Sequence, residues 1–237
     1  EMERTLQVLD YAILVISAKD GIQAHTKTIW KLLQTYQIPT FIFVNKMDST
    51  YSTKEQLLQN IQKELNENCF LLDDHFLENV SLVNDELLEK YLERAITKKD
   101  IQKVISLRQM FPVFFGSALK DEGVEGFMEA LDLYTCQKEA LDILSGIVFK
   151  KTFHKHLTHL KVTGGTLHVK DVISESKVDE LRIYTGQGYQ SVQSASTGDI
   201  VACLGLDELP IGFTFGNQKQ IQQNILKPFM SYQILLP

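Results

Sequence analysis

Two short polar stretches carry the residue types that a base-recognition site needs. Asn45-Lys46-Met47-Asp48 closes the apolar run 41–44, and Ser117-Ala118-Leu119 closes a second run, Phe111-Pro-Val-Phe-Phe-Gly116. An ionised Asp offers only acceptors, so the two oxygens of Asp48 suit a ligand edge with two adjacent N–H groups. Guanine presents that pair at N1 and N2, and adenine does not. A buried acceptor left unpaired costs about 1–3 kcal/mol, which is how such a site rejects the wrong base. Asn45 can tie its loop to neighbouring backbone, and the stem of Lys46 can lie over the base. Small residues at the end of the second run let backbone approach a ligand, so the Ala118 N–H is a candidate donor to guanine O6. At residue frequencies of about 5% each, N-K-x-D arises by chance in about 3% of chains this long. It is the second loop that turns a suggestive tetrapeptide into a pocket.

Both loops need strands to position them. The runs 41–44 and 111–115 lack polar alternation, as strands buried on both faces of a parallel sheet do. Ligands of open α/β sheets sit beyond the carboxyl ends of such strands. Residues 9–17 (LDYAILVIS) read as a third buried strand, after a first stretch that reads as the last turns of a helix. Lys19-Asp20-Gly21 is turn chemistry, and residues 26–36 carry Ile29, Trp30, Leu32 and Leu33 at helical spacing. Strand, helix and strand in this order imply a right-handed crossover.

Beyond Asp48, Ser52-Thr53 with Gln56 forms a capping box that opens a helix to about residue 66, with Leu57, Leu58, Ile61 and Leu65 inward. Residues 69–72 (CFLL) read as a short strand and the rest of 68–83 as loop. Asn84 caps a helix over 85–93, with acids in its first turn, and Thr97 caps another over 98–110. These helices form an insertion at about 50–110 whose reading is surface elaboration without chemistry. A helix with Val124, Phe127, Met128 and Leu131 on one stripe follows the second loop.

Near residue 140 the pattern changes. The runs 145–150, 156–162, 165–169, 177–184, 189–193 and 200–204 are short, β-rich and separated by polar turns, Gly164-Gly165 and Thr185-Gly186 among them. This spacing predicts a closed antiparallel barrel. The apolar run 226–236 reads as one more strand. The fold class is thus α/β followed by all-β.

Composition sets limits on function. The 237 residues are 44% hydrophobic, and 24 basic against 30 acidic residues give a net charge of −6. That balance argues against wholesale neutralisation of nucleic-acid phosphates, duplex DNA included, but leaves room for a local basic patch that docks to a large RNA assembly. No apolar run approaches the roughly 18 residues of a membrane helix, and no secretory signal opens the chain. Cys69, Cys136 and Cys203 lack metal-ligand spacing and read as reduced thiols of a cytoplasmic protein. His154, His156 and His159 lie close together, with His154 and His156 on one face of a strand. They read as solvated, as does His25 at the start of a helix, and no metal site is expected.

The residues also resemble a known family. E-x-x-R-x-L-x-V-L-D-x-A-I-L-V-I-S-A-K-D-G-I-Q-A-x-T, followed by I-P-T-x-I-F-V-N-K-M-D, is similar to the second half of the GTP-binding (G) domain of elongation factor G. The likeness is greater to the tetracycline-resistance ribosomal protection proteins, carried by Ser17-Ala-Lys-Asp-Gly-Ile-Gln23, Asp85-Glu-Leu-Leu-Glu-Lys-Tyr91, Gly116-Ser-Ala118 and Gly146-Ile-Val-Phe-Lys150. It covers nearly the whole chain. The resemblance implies a partial P-loop-GTPase-like parallel sheet, strands 4-5-6 of that fold, within residues 1–140. It implies a translation-factor β-barrel, domain II, over 141–225, and the start of a following domain over 226–237. The implied activity is that of a ribosome-dependent translational GTPase that releases tetracycline, with rRNA and ribosomal proteins as partners. Asn45, Lys46 and Asp48 match the family's guanine-reading motif, and Ser117 and Ala118 match its second guanine motif.

The departures are as informative. The sequence holds no G-x-x-x-x-G-K-[ST] phosphate loop, no switch Thr and no D-x-P-G-H segment. Backbone amides of the phosphate loop would cradle the triphosphate, and without them nucleotide and metal have no seat. The expectation is a fragment of such a GTPase that binds GTP or GDP weakly or not at all, leaves Mg2+ to the full-length parent, and does not hydrolyse GTP alone. Elongation factor G proper, or a non-catalytic ribosome- or partner-binding module, is the alternative. In the implied sheet, strand 9–17 is an edge with no partner on its outer side, exposed to pairing with other chains.

Overall fold

The computed structural model describes residues 5–73, 75–136, 142–186 and 188–216. The chain divides into two compact units, Leu9–Gln137 and a second made of Glu1–Val8 with Lys138–Pro237. The strand expected over 226–236 lies outside the described residues.

The first unit is built on four strands, β1 (Ala12–Ser17), β2 (Thr40–Asn45), β3 (Cys69–Leu71) and β4 (Phe111–Phe115), which form one sheet in the order β1-β2-β4-β3. All pairings are parallel. Ala12 to Ser17 run opposite Thr40 to Asn45, Ile42 lies opposite Val113, and Cys69 opposite Phe111. The lack of alternation in β2 has its expected cause: helices cover both faces. One face packs Leu14, Ile16, Ile42, Val44 and Val113 against Trp30 of α1 (Ala24–Thr35) and Leu57 and Ile61 of α2 (Lys54–Glu64). The other packs Phe41 and Phe43 against Phe76 and Val80 of α3 (Phe76–Ser81), Leu87 of α4 (Asp85–Leu92), Ile101, Val104 and Ile105 of α5 (Lys98–Ser106), and Phe127 of α6 (Val124–Tyr134).

Helix starts follow the capping chemistry of the sequence. The Thr53 hydroxyl accepts from the Gln56 N–H, and the Gln56 side chain accepts from the Thr53 N–H. Asn84 Oδ1 accepts from the Leu87 N–H, and Thr97 with Asp100 repeats the reciprocal box. Three expectations need correction. Residues 76–81 are a helix rather than loop. At six residues it is too short to show a period, and the burial of Phe76 and Val80 one turn apart holds it. The helix from Lys98 stops at Ser106 because Arg108 takes a left-handed backbone (φ 58°) and the chain turns back. Met128, expected on the buried stripe of α6, is 59% exposed, and Ala130 takes the inward position.

β1 differs from β2. Leu14 and Ile16 are buried, but Ile13 and Val15 on the opposite face are 47% and 58% exposed. Among the described residues β1 pairs only with β2, so it is an edge of this sheet.

The second unit is antiparallel and β-rich. Its main sheet holds β5 (Ser145–Thr152), β6 (Leu157–Gly164), β10 (Glu180–Thr185), β11 (Gly188–Val192), β13 (Ile200–Leu204) and β14 (Thr214–Phe215), in the order β11-β10-β13-β6-β5-β14. Two short ladders complete it, β7 (Thr166–His168) with β12 (Ser194–Ser196) and β8 (Val172–Ile173) with β9 (Ser176–Lys177). Val148, Leu160, Val162, Leu167, Leu181, Val201 and Cys203 fill one core. The segment before β1 also belongs here. Val8 packs on Ile147 and Phe149, and the buried Lys161 ammonium donates to the Val8 carbonyl at 2.7 Å. Burial pushes the thiols of Cys69 and Cys203 up to about 12, so both stay protonated at neutral pH.

Two outcomes follow from these arrangements. In the 237-residue chain, β1 amides should exchange with deuterium faster than β2 amides by mass spectrometry or NMR; slower exchange on β1 would mean that something protects its outer edge. On β10, Arg182 and the Ser191 hydroxyl hold the Glu180 carboxyl down at about 2. A depressed carboxyl stabilises the fold above its ordinary range, near 4.5, and that contribution is lost as pH falls through about 2. Arg182→Ala should therefore lower stability at pH 7 slightly and flatten the loss between about pH 4.5 and 2, read by acid titration of near-UV circular dichroism.

Candidate functional site

The carboxyl ends of β2 and β4 are adjacent, and backbone bonds stitch the two loops that leave them. Gly116 N–H donates to the Val44 carbonyl (3.0 Å), and Met47 N–H donates to the Gly116 carbonyl (3.1 Å). On the other side Ala18 N–H donates to the Asn45 carbonyl (2.8 Å), tying in the end of β1. Gly116 is required by space. A Cβ there would run into the Glu122 carbonyl and the Phe43 ring. Ser117 and Glu122 bridge through paired backbone bonds of 2.9 and 3.0 Å, which folds residues 117–122 into a tight loop before α6.

Lys46 takes the left-handed conformation (φ 65°, ψ 36°), uncommon for a residue with a side chain. It starts one turn of 3-10 helix, Met47–Ser49, that brings Asp48 round toward the β4 loop. Asn45 holds this bend. Its Oδ1 accepts from the Lys46 N–H (2.7 Å) and from the Ala118 N–H (2.9 Å). Asp48 makes the second link. Its Oδ1 accepts from the Ser117 hydroxyl at 2.5 Å, and its Oδ2 from the Ser49 hydroxyl at 2.9 Å. Ser117 is fully buried, whereas Asp48 and Lys46 are exposed. The two hydroxyl bonds, Ser117's first, hold the Asp48 carboxyl below the usual range, with a smaller contribution from Lys120. Asp48 is thus an ionised, acceptor-only group held in place on a surface-open loop.

All five residues singled out by sequence, Asn45, Lys46, Asp48, Ser117 and Ala118, meet at one place. One expected role is altered. The Ala118 N–H is not idle but donates to Asn45, so a ligand carbonyl would share it in a three-centre bond. Ser49 was not foreseen, because a Ser after an Asp has no distinctive spacing. The steric role of Gly116 depends on the position of Glu122, which no spacing in the sequence gives.

The histidines are placed differently from expectation. His154 lies in the 3-10 turn Phe153–Lys155 and His156 in a left-handed turn (φ 51°), so neither is on a strand; both are exposed. His159 sits on β6 between Phe149 (6.2 Å) and Tyr184 (6.3 Å), with Nε2 3.0 Å from the Thr152 hydroxyl. Burial, with Lys150 nearby, pushes its imidazole pKa down. Among the described residues no three His, Cys, Asp or Glu are placed to hold a metal ion, and no helix is long and apolar enough to cross a membrane.

Removing the buried hydroxyl tests the site's electrostatics. Ser117→Ala should raise the pKa of Asp48 toward the ordinary carboxylate value, read by carboxyl carbon NMR, with a stability loss of about 1–2 kcal/mol. An unmoved Asp48 would mean that the 2.5 Å bond is not formed in solution.

Comparison with known proteins adds an independent finding. Residues 1–137 match the family model described as the elongation factor Tu GTP binding domain. The chain is 31% identical over 253 residues to the tetracycline resistance protein TetO of Streptococcus pneumoniae, covering 94% of this chain and 39% of that protein. It is 30% identical over 251 residues to TetW of Butyrivibrio fibrisolvens (93% and 39%) and 29% identical over 253 residues to TetM of Ureaplasma urealyticum (94% and 39%). It thus spans about two fifths of the length of these relatives. In fold it is similar to a crystal structure of a Thermus thermophilus protein, with a TM-score of 0.78, 18% identity and coverage of 93% of this chain and 42% of that one.

Proposed function

This chain belongs to the family of the elongation factor Tu GTP binding domain, and from that premise we propose that it is part of a translational GTPase of the ribosomal protection type. The family binds guanine nucleotide. In this chain the Asp48 carboxylate would accept from guanine N1–H and N2–H2, the Ala118 N–H would reach O6, and the Lys46 stem would lie along the ring. The observation that carries this reading is the pair of links between the loops, Ser117 to Asp48 and Ala118 to Asn45. They hold an ionised acceptor pair and a backbone donor on one small area.

The whole protein's activity, by this proposal, is GTP-driven binding to the ribosome and release of tetracycline in the cytoplasm. The tetracycline resistance relatives support it over elongation factor G proper. One face of the β-rich unit fits an RNA-containing partner. The Tyr184 and Tyr189 rings lie 5.6 Å apart and about half exposed, and the Arg182 guanidinium lies 4.4 Å from the Tyr189 ring. Aromatic faces beside a cation suit the stacking of unpaired bases. The phosphate loop is not encoded in these residues. Magnesium and triphosphate contacts are assigned to the full-length parent.

NMR with millimolar nucleotide tests the base site. GDP should shift resonances of Asn45, Asp48, Ser117 and Ala118 with a dissociation constant above about 0.1 mM, and ADP should not. In Asp48→Asn the amide supplies a donor beside an acceptor, so GDP binding should weaken and XDP, with a carbonyl at C2, should bind better than in the wild type. Equal response to GDP and ADP would overturn the guanine reading. GTP turnover by this polypeptide with magnesium and ribosomes is expected to be absent; turnover at a normal ribosome-stimulated rate would contradict the assignment of the phosphate contacts.

A further inference from the structure

Both oxygens of the Asp48 carboxylate are held by hydroxyl groups of the chain. The Ser117 hydroxyl fixes Oδ1 at 2.5 Å and the Ser49 hydroxyl fixes Oδ2 at 2.9 Å. We infer that Ser49 is a positioning residue for base selection: it locks the plane of the Asp48 carboxylate so that both oxygens together face a two-donor base edge. The inference rests on the guanine reading above.

The terminal torsion of Asp is broad and roughly two-fold, so one bond to one oxygen leaves the carboxylate free to pivot about it. A second bond, to the other oxygen, removes that freedom. Ser49 is itself fixed. It ends the one-turn helix Met47–Ser49, and its N–H donates to the Lys46 carbonyl at 3.0 Å. Neither hydroxyl exhausts its oxygen. An ionised carboxylate has about four accepting sites, so each oxygen keeps one for a ligand. The side chain that approaches Asp48 from the β4 loop besides Ser117 is Lys120, a minor influence on its charge. Ser49 and Ser117 therefore account for the carboxylate's orientation.

The consequence falls on one kind of selectivity. Guanine and hypoxanthine share N1–H, and only guanine adds the 2-amino group. One acceptor held loosely satisfies N1–H alone. Two acceptors held in plane are needed to reward the 2-amino group as well. Ser49 should matter for GDP over IDP more than for binding of either as such.

The test uses this chain with Ser49→Ala and Ser49→Thr. Ser49 is exposed, so neither change disturbs the core. Dissociation constants for GDP, IDP and ADP come from NMR titration, and the Asp48 pKa from its carboxyl carbon shift. Ser49→Ala should weaken GDP about fivefold while IDP changes less than about twofold, with the Asp48 pKa moved up. Ser49→Thr should restore both. An unchanged GDP-to-IDP ratio, equal weakening of both, or tighter GDP binding in Ser49→Ala would overturn the proposal while leaving the guanine reading in place. Wild-type protein that fails to prefer GDP over ADP would overturn the guanine reading and this proposal with it.

Discussion

The bond between Asp48 and Ser117 depends on two parallel strands being neighbours. Asp48 follows β2 and Ser117 follows β4, separated by the whole insertion in sequence, yet the 2.5 Å contact leaves no room for a slip of register. In a parallel sheet every strand ends on the same side, so loops of adjacent strands meet at one rim. The backbone exchange of Gly116 with Val44 and Met47 extends the ladder past the last regular pair and carries its precision into the loops. Gly116 is the tightest point of that extension, since any side chain there would push the Glu122 carbonyl away and open the loop.

The insertion between the two loops has a structural part in this. Its helices α3, α4 and α5 bury Phe76, Leu87, Ile101, Val104 and Ile105 against Phe41 and Phe43, on the face of β2 opposite α1 and α2. Surface elaboration is therefore too modest a description of it. These helices make β2 a strand covered on both sides, and a strand covered on both sides is a rigid base for a loop. The same face is left open at β1, where Ile13 and Val15 meet solvent. Burial in this sheet thus declines from β2, which leads into the candidate site, toward the β1 edge.

Much of this was legible in the sequence, for physical reasons that can be named. The apolar runs at β2 and β4 were visible because burial on both faces removes alternation. Three helix starts were visible because Thr53, Asn84 and Thr97 carry side chains that satisfy open N–H groups. The α/β-then-β order and the meeting of Asn45, Asp48, Ser117 and Ala118 followed from strand ends and acceptor chemistry. What stayed hidden depends on neighbours distant in the chain. Helix α3 is too short for a period, and Met128 faces out while Ala130 is buried beside Phe127, a choice that the spacing alone leaves open. The turn that carries His154 and His156 has backbone angles that alternation cannot anticipate. Ser49 and the Asn45–Ala118 bond involve polar partners that any loop can contain.

The Asn45 carboxamide shares the Ala118 N–H that a ligand carbonyl would use, and each serine takes one accepting position on one Asp48 oxygen. These bonds hold the rim in shape from within the chain and leave one accepting position on each Asp48 oxygen. On the guanine reading, a base would exchange water for its own donors at those positions, with little net gain in tenacity and a penalty reserved for the wrong shape. On that reading the rim would act as a sieve rather than a grip.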